Sequence, residues 1–359
     1  MGLEKSVGWK TVGLDLGDRY SHFCMIDVDG RVVEQGRILT DGDAMRERFS
    51  CGPPSRIVLE TGTHSPWVSR LLEELGHEVI VANPRRLRLI YQTPTKNDAL
   101  DAEALARLGR MDVQLLAPIQ HRGVQAQADR AVIQAREVLV RARTRLVNHI
   151  RGAIKSMGAR LPRCSTRSFA MRLEGRIPED LLPALQPLVA ILQNLNASIR
   201  AYDQQIEAIA RARYPQTQTL RQVSGVGALT SLAFVVCLED PTRFKSSRAV
   251  GSFLGLRPRQ DQSGDRDKQL RITKAGDQGL RSLLVGSAQY ILGPFGPDTD
   301  LRRFGIRLAA RGGRVAKKRA VIAVARKLAV LLHRLWLTGE QFEPLRNSTA
   351  DTVGAVPAL

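Results

Sequence analysis

Four carboxylates in the first third of the chain could share one metal ion. Thr11-Val12-Gly13-Leu14-Asp15-Leu16-Gly17-Asp18 is an apolar-leaning run with Asp15 at its middle and a break at Gly17, so it reads as a strand that delivers an acid to a surface. Ile57-Val58-Leu59-Glu60 is a second β-branched run ending in a carboxylate, followed by Thr61-Gly62. Asn97-Asp98-Ala99-Leu100-Asp101 opens a helix in which Asp98 and Asp101, three apart, share a face. With the two strands side by side, all four acids converge. Two unit charges about 4 Å apart repel by roughly 4 kcal/mol at an effective dielectric near 20, so four ionised acids would separate or take up protons. A hard divalent cation, Mg2+ (or Mn2+), prefers carboxylate and water oxygens, removes that conflict and can bridge protein to phosphate. Singly, Asp15 could merely end a strand, Glu60 precede a turn and Asp98 cap a helix. Their order within one compact α/β pattern is what points to a site.

The elements that must position these acids follow from the surrounding pattern. Thr11 to Leu16, Ser21 to Asp27 and Arg31 to Ile38 read as three strands joined by tight turns, with Asp29-Gly30 in the second turn. Asp41 to Phe49 is a helix with Asp41 as its cap, Arg56 to Glu60 a strand, Ser65 to Leu75 a helix closed by Gly76, and Glu78 to Ala82 a last strand. Three antiparallel strands followed by alternating helix and strand are the pattern of a ribonuclease-H-like fold, in which the first and fourth strands are neighbours. Asp15 and Glu60 are thereby expected side by side. Arg85, Arg86, Arg88 and Lys96 lie on the connection ahead of the acid pair, placed either to neutralise it or to meet arriving phosphates.

Composition narrows the partner. Lys and Arg number 54 against 35 Asp and Glu, a formal net charge of +19, which points to a polyanion. Aromatics are only 5% of residues, too few for a base-stacking platform, so contacts to phosphate and ribose are expected. No apolar run approaches the ~20 residues of a membrane span, and the N-terminus lacks the apolar core of a signal peptide. Cysteines at 24, 51, 164 and 237 have no paired spacing, which argues against a zinc site and a disulfide framework and for a reducing cytoplasm.

Beyond residue 118 the pattern turns helical. Between Gly123 and Met157 one imperfect stripe runs through Val124, Ala128, Ala131, Ala135 and Val138, and Val132, Leu139, Leu146 and Ala153 run beside it at sevens. Leu185, Leu188, Leu192, Leu195, Ile199, Tyr202, Ile206 and Ile209 form a cleaner heptad seam. The two helices are expected to pair as an antiparallel coiled-coil arm, within one chain or between protomers. From Leu220, Ser224-Gly225-Val226-Gly227 before an apolar helix has the form of a helix-hairpin-helix unit, whose backbone N–H groups at Gly225 and Gly227 can hold a phosphate. Leu256 to Arg266 reads as a polar loop in which Ser263 stands among Arg257, Arg259, Arg266, Lys268 and Arg271, with no histidine nearby to serve as a base. A helix is expected from Ile272 through Tyr290, with Thr273 as cap and Lys274 near phosphate, and another from Gly312 to Trp336. Asn347 to Leu359, rich in small residues, reads as a disordered tail.

Together these motifs resemble the DEDD transposases of bacterial insertion sequences, the 110/1111 group. The likeness spans nearly the whole chain. Gly13-Leu14-Asp15, Leu59-Glu60-Thr61-Gly62 and Lys96-Asn97-Asp98-Ala99-Leu100-Asp101-Ala102 carry it in the first half; Ser224-Gly225-Val226-Gly227, Phe253-Leu254-Gly255-Leu256-Arg257-Pro258, Gln262-Ser263-Gly264 and Ile272-Thr273-Lys274-Ala275-Gly276 carry it in the second. The resemblance implies a RuvC-like catalytic domain over residues 1–118 with the acid set Asp15, Glu60, Asp98 and Asp101. It implies a coiled-coil arm over 119–215, a helical transposase domain over 216–346 carrying a nucleophilic Ser263, and a flexible tail over 347–359. It also implies a structured noncoding guide RNA, target and donor double-stranded DNA as partners, and a homo-oligomer, dimer or tetramer, acting at the nucleoid of a bacterial cytoplasm. The expected chemistry is strand cutting and rejoining through a serine-phosphate link, with Mg2+ held by the four acids. The alternative is a metal-dependent nuclease of Holliday-junction-resolvase type, in which the same acids activate water and Ser263 is incidental.

Overall fold

The computed structural model describes residues 9–85, 97–263 and 266–347, with the backbone alone for 263 and 266–269. The chain divides into two compact units, residues 1–122 and 123–359.

The first unit is built on a five-stranded sheet of order β3-β2-β1-β4-β5. β1 (Thr11–Leu16) is antiparallel to β2 (Tyr20–Ile26), and β2 to β3 (Val32–Leu39). On its other side β1 is parallel to β4 (Arg56–Glu60), which is parallel to β5 (Glu78–Ala82). This is the ribonuclease-H-like order, with the first and fourth strands adjacent. α1 (Gly42–Ser50) begins at Asp41, whose side chain accepts the Ala44 N–H at 2.8 Å, and α2 (Ser65–Glu74) joins β4 to β5. α3 (Asp98–Met111) follows, capped by Asn97, whose side chain accepts the Ala99 N–H at 3.0 Å.

Strand alternation divides the side chains between two layers. Val12, Leu14, Ile57 and Leu59 pack with Met45, Phe49, Val68, Leu71 and Leu72 in one apolar cluster. The intervening residues face α3: Val58 and Ala82 pack with Leu105 and Leu108, and Cys24 and Ile26 with Ala102 and Ala106. Asp15 and Glu60, two positions after Gly13 and Val58, fall on this same α3 side.

In the second unit α4 (Val124–Ser156) and α5 (Leu182–Arg213) pack antiparallel within the chain, as three pairings of descending number show. Arg213 Nη1 donates to Asp129 Oδ1 at 2.6 Å, Arg136 Nε to Asp203 Oδ1 at 2.5 Å and Arg143 Nη1 to Asn196 Oδ1 at 3.0 Å. On α5 the buried residues Leu185, Leu192, Ile199, Ile206 and Ile209 belong to the expected seam. On α4 the buried face is Ala126, Asp129, Ile133, Val147, Ile150 and Ile154, not the predicted stripe, in which Val124 is 66% and Val138 60% exposed. Charged residues inside the seam, paired across it, break the apolar period on α4.

The rest of the unit packs around α6 (Ala228–Leu238), apolar on all sides and buried at nine of its eleven positions, as a central helix must be. α7 (Ser247–Phe253), α8 (Gln278–Leu292), α9 (Asp300–Ala309) and α10 (Gly313–Thr338) pack with it, α9 in a stretch to which the sequence pattern assigns no element. The stretch expected as a polar loop is a two-stranded antiparallel ribbon, β6 (Pro258–Ser263) with β7 (Arg266–Ile272). Arg259 to Gln262 are all exposed, so no apolar alternation marks the strand. α8 starts at Gln278 rather than Ile272, and its cap is Asp277, which accepts the Leu280 N–H at 2.9 Å, not Thr273. Lys274 takes φ +55 and Gly276 φ +66, a backbone course that ends the strand before the helix begins. Of the expected tail only Asn347 lies within the described residues. No helix among the described residues is long and apolar enough to cross a membrane.

Candidate metal centre

The acids meet because two strands and one helix end at the same place. Asp15 is the penultimate residue of β1 and Glu60 the last of β4, one step past the paired Leu14 and Leu59. α3 presents Asp98 and Asp101 in its first turn, where the helix dipole favours carboxylates. The helix can reach the sheet only because Gly13 has no side chain: a Cβ there would stand 1.9 Å from the Ala102 carbonyl oxygen and 2.5 Å from the Ala106 nitrogen. Gly109 repeats the device one turn on, where a Cβ would lie 2.2 Å from Val58 Cγ2.

One carboxylate oxygen from each of Asp15, Asp98 and Asp101 lies within 4.8 Å of the others. Glu60 stands outside this tightest group, yet its charge is felt by Asp15. The Asp15 carboxyl is pushed up from 3.8 to about 6, by burial first and then by the charges of Asp98, Asp101 and Glu60; His22 opposes the shift. His22 is the residue that sequence reasoning missed. It is the register partner of Asp15 on β2, and its Nδ1 lies 3.9 Å from Asp98 Oδ2. The signal was present in the β1–β2 hairpin, since the four residues between Leu16 and its partner Ser21 set His22 opposite Asp15.

A set of hard oxygen donors that raises one member's pKa suits a divalent cation such as Mg2+ or Mn2+. Asp15, Asp98 and Asp101 would hold the ion, with Glu60 at the flank. Such an ion would offset the repulsion that, after burial, lifts the Asp15 carboxyl to about 6.

The other expected site residues are spread over both units. Ser263 ends β6 in the second unit, paired in register with Arg266, whereas the acids lie in the first. Arg85 is exposed, its N–H donating to Asn83 Oδ1 at 3.1 Å, while Arg86 and Lys96 lie outside the described residues. Gly225 has φ +86, and a Cβ there would come 3.0 Å from Tyr290 Cδ1 and 3.2 Å from the Ser287 carbonyl oxygen, so this turn is packed on α8. Gly227 is the exposed N-cap of α6. Arg257 and Arg259 are exposed beside or on β6, and Arg257 Nη2 donates to Gln260 Oε1 at 2.8 Å. Lys274 is exposed and its N–H donates to the Gly255 carbonyl at 3.1 Å. The side chain of Arg266 lies outside the described residues.

A family model described as "Transposase", of the DEDD IS110 type, matches residues 12–158, and one described as "Transposase IS116/IS110/IS902 family" matches residues 217–299. The transposase for insertion sequence element IS1111A of Coxiella burnetii is 28% identical over 346 residues, 93% of this chain and 91% of that protein. A "Probable family 20 transposase" of Pseudomonas aeruginosa is 30% identical over 299 residues, 81% of this chain and 86% of its own. A pilin gene-inverting protein of Moraxella bovis is 25% identical over 80% of this chain and 81% of its own. The solved structure "T. thermophilus RuvC in complex with Holliday junction substrate" aligns at a TM-score of 0.24 with 13% identity, over 29% of this chain and 97% of that one. With both halves matched in order and the relatives covered over most of their length, this chain belongs to the IS116/IS110/IS902 family of transposases.

Proposed function

We propose that this transposase cuts and rejoins DNA strands of an insertion sequence at the acid cluster of its first unit, with Ser263 as the attacking group. The observation that carries the reading is the meeting of Asp15, Asp98 and Asp101 within 4.8 Å at the end of β1 and the start of α3. When bound there, Mg2+ or Mn2+ supplies Lewis-acid polarisation of a phosphoryl oxygen and neutralises its charge. Asp15, Asp98, Asp101 and Glu60 orient the scissile phosphate through that site. Ser263 Oγ forms an ester bond to phosphorus as the phosphorus–oxygen bond to the leaving strand breaks, and the proton lost from Oγ is balanced by the one the leaving oxygen takes up as a hydroxyl. The phosphodiester's energy is thereby kept in a serine-phosphate link, and a second strand's hydroxyl reverses the step to rejoin.

In this reading the acids of one protomer meet the serine of another in a homo-oligomer, dimer or tetramer, with α4 and α5 as an arm. A structured noncoding RNA from the element pairs with target and donor DNA, which leaves the protein to grip backbones. An excess of cations with few aromatics supports that division of labour. The place of action is the bacterial cytoplasm, at the nucleoid.

Ser263→Ala and Asp15→Asn test the reading in a strand-exchange assay with radiolabelled DNA. Ser263→Ala should abolish both exchange and any covalent protein–DNA species. A covalent species that survives Ser263→Ala overturns the nucleophile. Cut DNA with free ends and no attached protein, in both wild type and Ser263→Ala, would instead indicate water as nucleophile, the reaction of a junction-resolving nuclease.

A further inference from the structure

Beside the acid cluster, on the same face of the sheet, two arginines share one aromatic ring. The guanidinium carbon of Arg37 lies 4.3 Å from the centre of the Tyr20 ring, and that of Arg19 lies 5.3 Å from it. The register links them to the acids. Asp15 pairs with His22 and His22 with Arg37, so one transverse row crosses β1, β2 and β3. Residues paired in register point to the same face, and Tyr20, two before His22, points there as well. Two strand spacings put Arg37 about 10 Å from Asp15, roughly three nucleotide rises along a strand. The Arg19 backbone is fixed, its carbonyl accepting the Thr40 N–H at 3.0 Å.

The neighbouring carboxylates do not pair with these cations among the described residues. Asp18 Oδ1 lies 3.6 Å from His64 Nε2, Glu34 pairs with Arg48 and Asp41 caps α1. Both arginines are exposed, and Tyr20 is half-buried. Two like charges drawn to one ring, with no carboxylate paired to either among the described residues, leave an anion's place open. The geometry points to a phosphate clamp: Arg19 and Arg37, held on Tyr20, grip the backbone of the nucleic-acid strand whose scissile phosphate sits at Asp15, Asp98 and Asp101. This rests on the proposed role of the acid cluster. Planar guanidiniums suit phosphate, and a stiff aromatic support keeps them from folding back onto the acids. The clamp is indifferent to base identity, in keeping with contacts to backbone rather than sequence.

The test is the salt dependence of binding by the full chain to a fluorescein-labelled 20-nucleotide DNA, single-stranded and as a duplex. In Arg19→Gln/Arg37→Gln, the slope of log Kobs against log salt should become shallower by about 1.8 on duplex, or about 1.4 on single strand, two phosphate contacts being lost. Whichever arm shows the change identifies the form held. Arg19→Lys/Arg37→Lys should restore the slope, and Mn2+ binding by calorimetry should stay as in wild type. An unchanged slope on both DNAs overturns the clamp, as does an equal loss in Arg31→Gln/Arg46→Gln, which would report net charge alone. Should the double variant fail to fold, Arg37→Gln by itself decides, with half the change expected. Failure of the acid-site reading looks different: wild type would bind no Mn2+ while the slope change persisted.

Discussion

The carbonyl oxygen of Ala102 occupies the place where a side chain on Gly13 would begin, 1.9 Å from the missing Cβ. This one close approach lets the first turn of α3 bring Asp98 and Asp101 to Asp15. Gly13→Ala forces backbone apart, not a flexible side chain, so it should cost about 3 kcal/mol or more, at or beyond the upper range for overpacking. Mn2+ binding should weaken together with the unfolding midpoint in urea. A variant of wild-type stability with intact metal binding would mean that α3 can sit further from the sheet without loss.

Asp15→Asn separates the acid's charge from its shape. The isosteric amide removes the member of the cluster most strained by its neighbours. Without metal at pH 7.5 the variant should be more stable than wild type by about 1 kcal/mol, below the full value of the displaced pKa because Asp15 is partly exposed. Its Mn2+ affinity should drop at least tenfold. Thermal unfolding with and without Mn2+ checks both.

The pH dependence has a definite sign. Asp15 titrates near 6 in the folded chain against 3.8 ordinarily, so the folded chain binds the extra proton between those values. Its contribution to metal-free stability is therefore full below about pH 4 and lost as pH rises through 6. Wild-type stability minus that of Asp15→Asn should fall across this window and level off above it. Mn2+ uptake at pH 5 should release about one proton, visible by calorimetry in buffers of different ionisation enthalpy.

How much of this was legible in the sequence depended on how locally each feature is encoded. Asp15 lies inside an apolar-leaning run broken by Gly17, Glu60 ends a β-branched run before Thr61-Gly62, and Asn97 announces α3, so the strands could be read locally, and their order followed from the pattern of three strands and then alternating helix and strand. His22 could not be read from composition, because its link to Asp15 exists only through strand register. The α4 face departs from the apolar stripe because Asp129, Arg136 and Arg143 occupy its seam. The β6–β7 ribbon was hidden for a related reason: a strand exposed on both sides has no alternation to reveal it.

Asp129 offers a test of that seam. It is buried and accepts from Arg213 and from Tyr214 Oη at 2.8 Å; burial first, and then this hydrogen bond, push the tyrosine's pKa well above its usual value. Asp129→Ala leaves a cation and a hydroxyl without their acceptor between α4 and α5. A loss of about 1–3 kcal/mol is expected in urea unfolding of the second unit, since a buried carboxylate is taken from two donors, of which Arg213 is half-exposed. A loss below about 0.5 kcal/mol would mean that solvent satisfies both donors.

Crystals of the protein soaked in Mn2+ and measured at the manganese absorption edge give the most direct test of a shared cation site. An anomalous peak is expected within coordination distance of Asp15, Asp98 and Asp101, with Glu60 nearby, and absent from Asp15→Asn crystals. Manganese bound elsewhere, with these carboxylates instead neutralised by lysine or arginine, would contradict it.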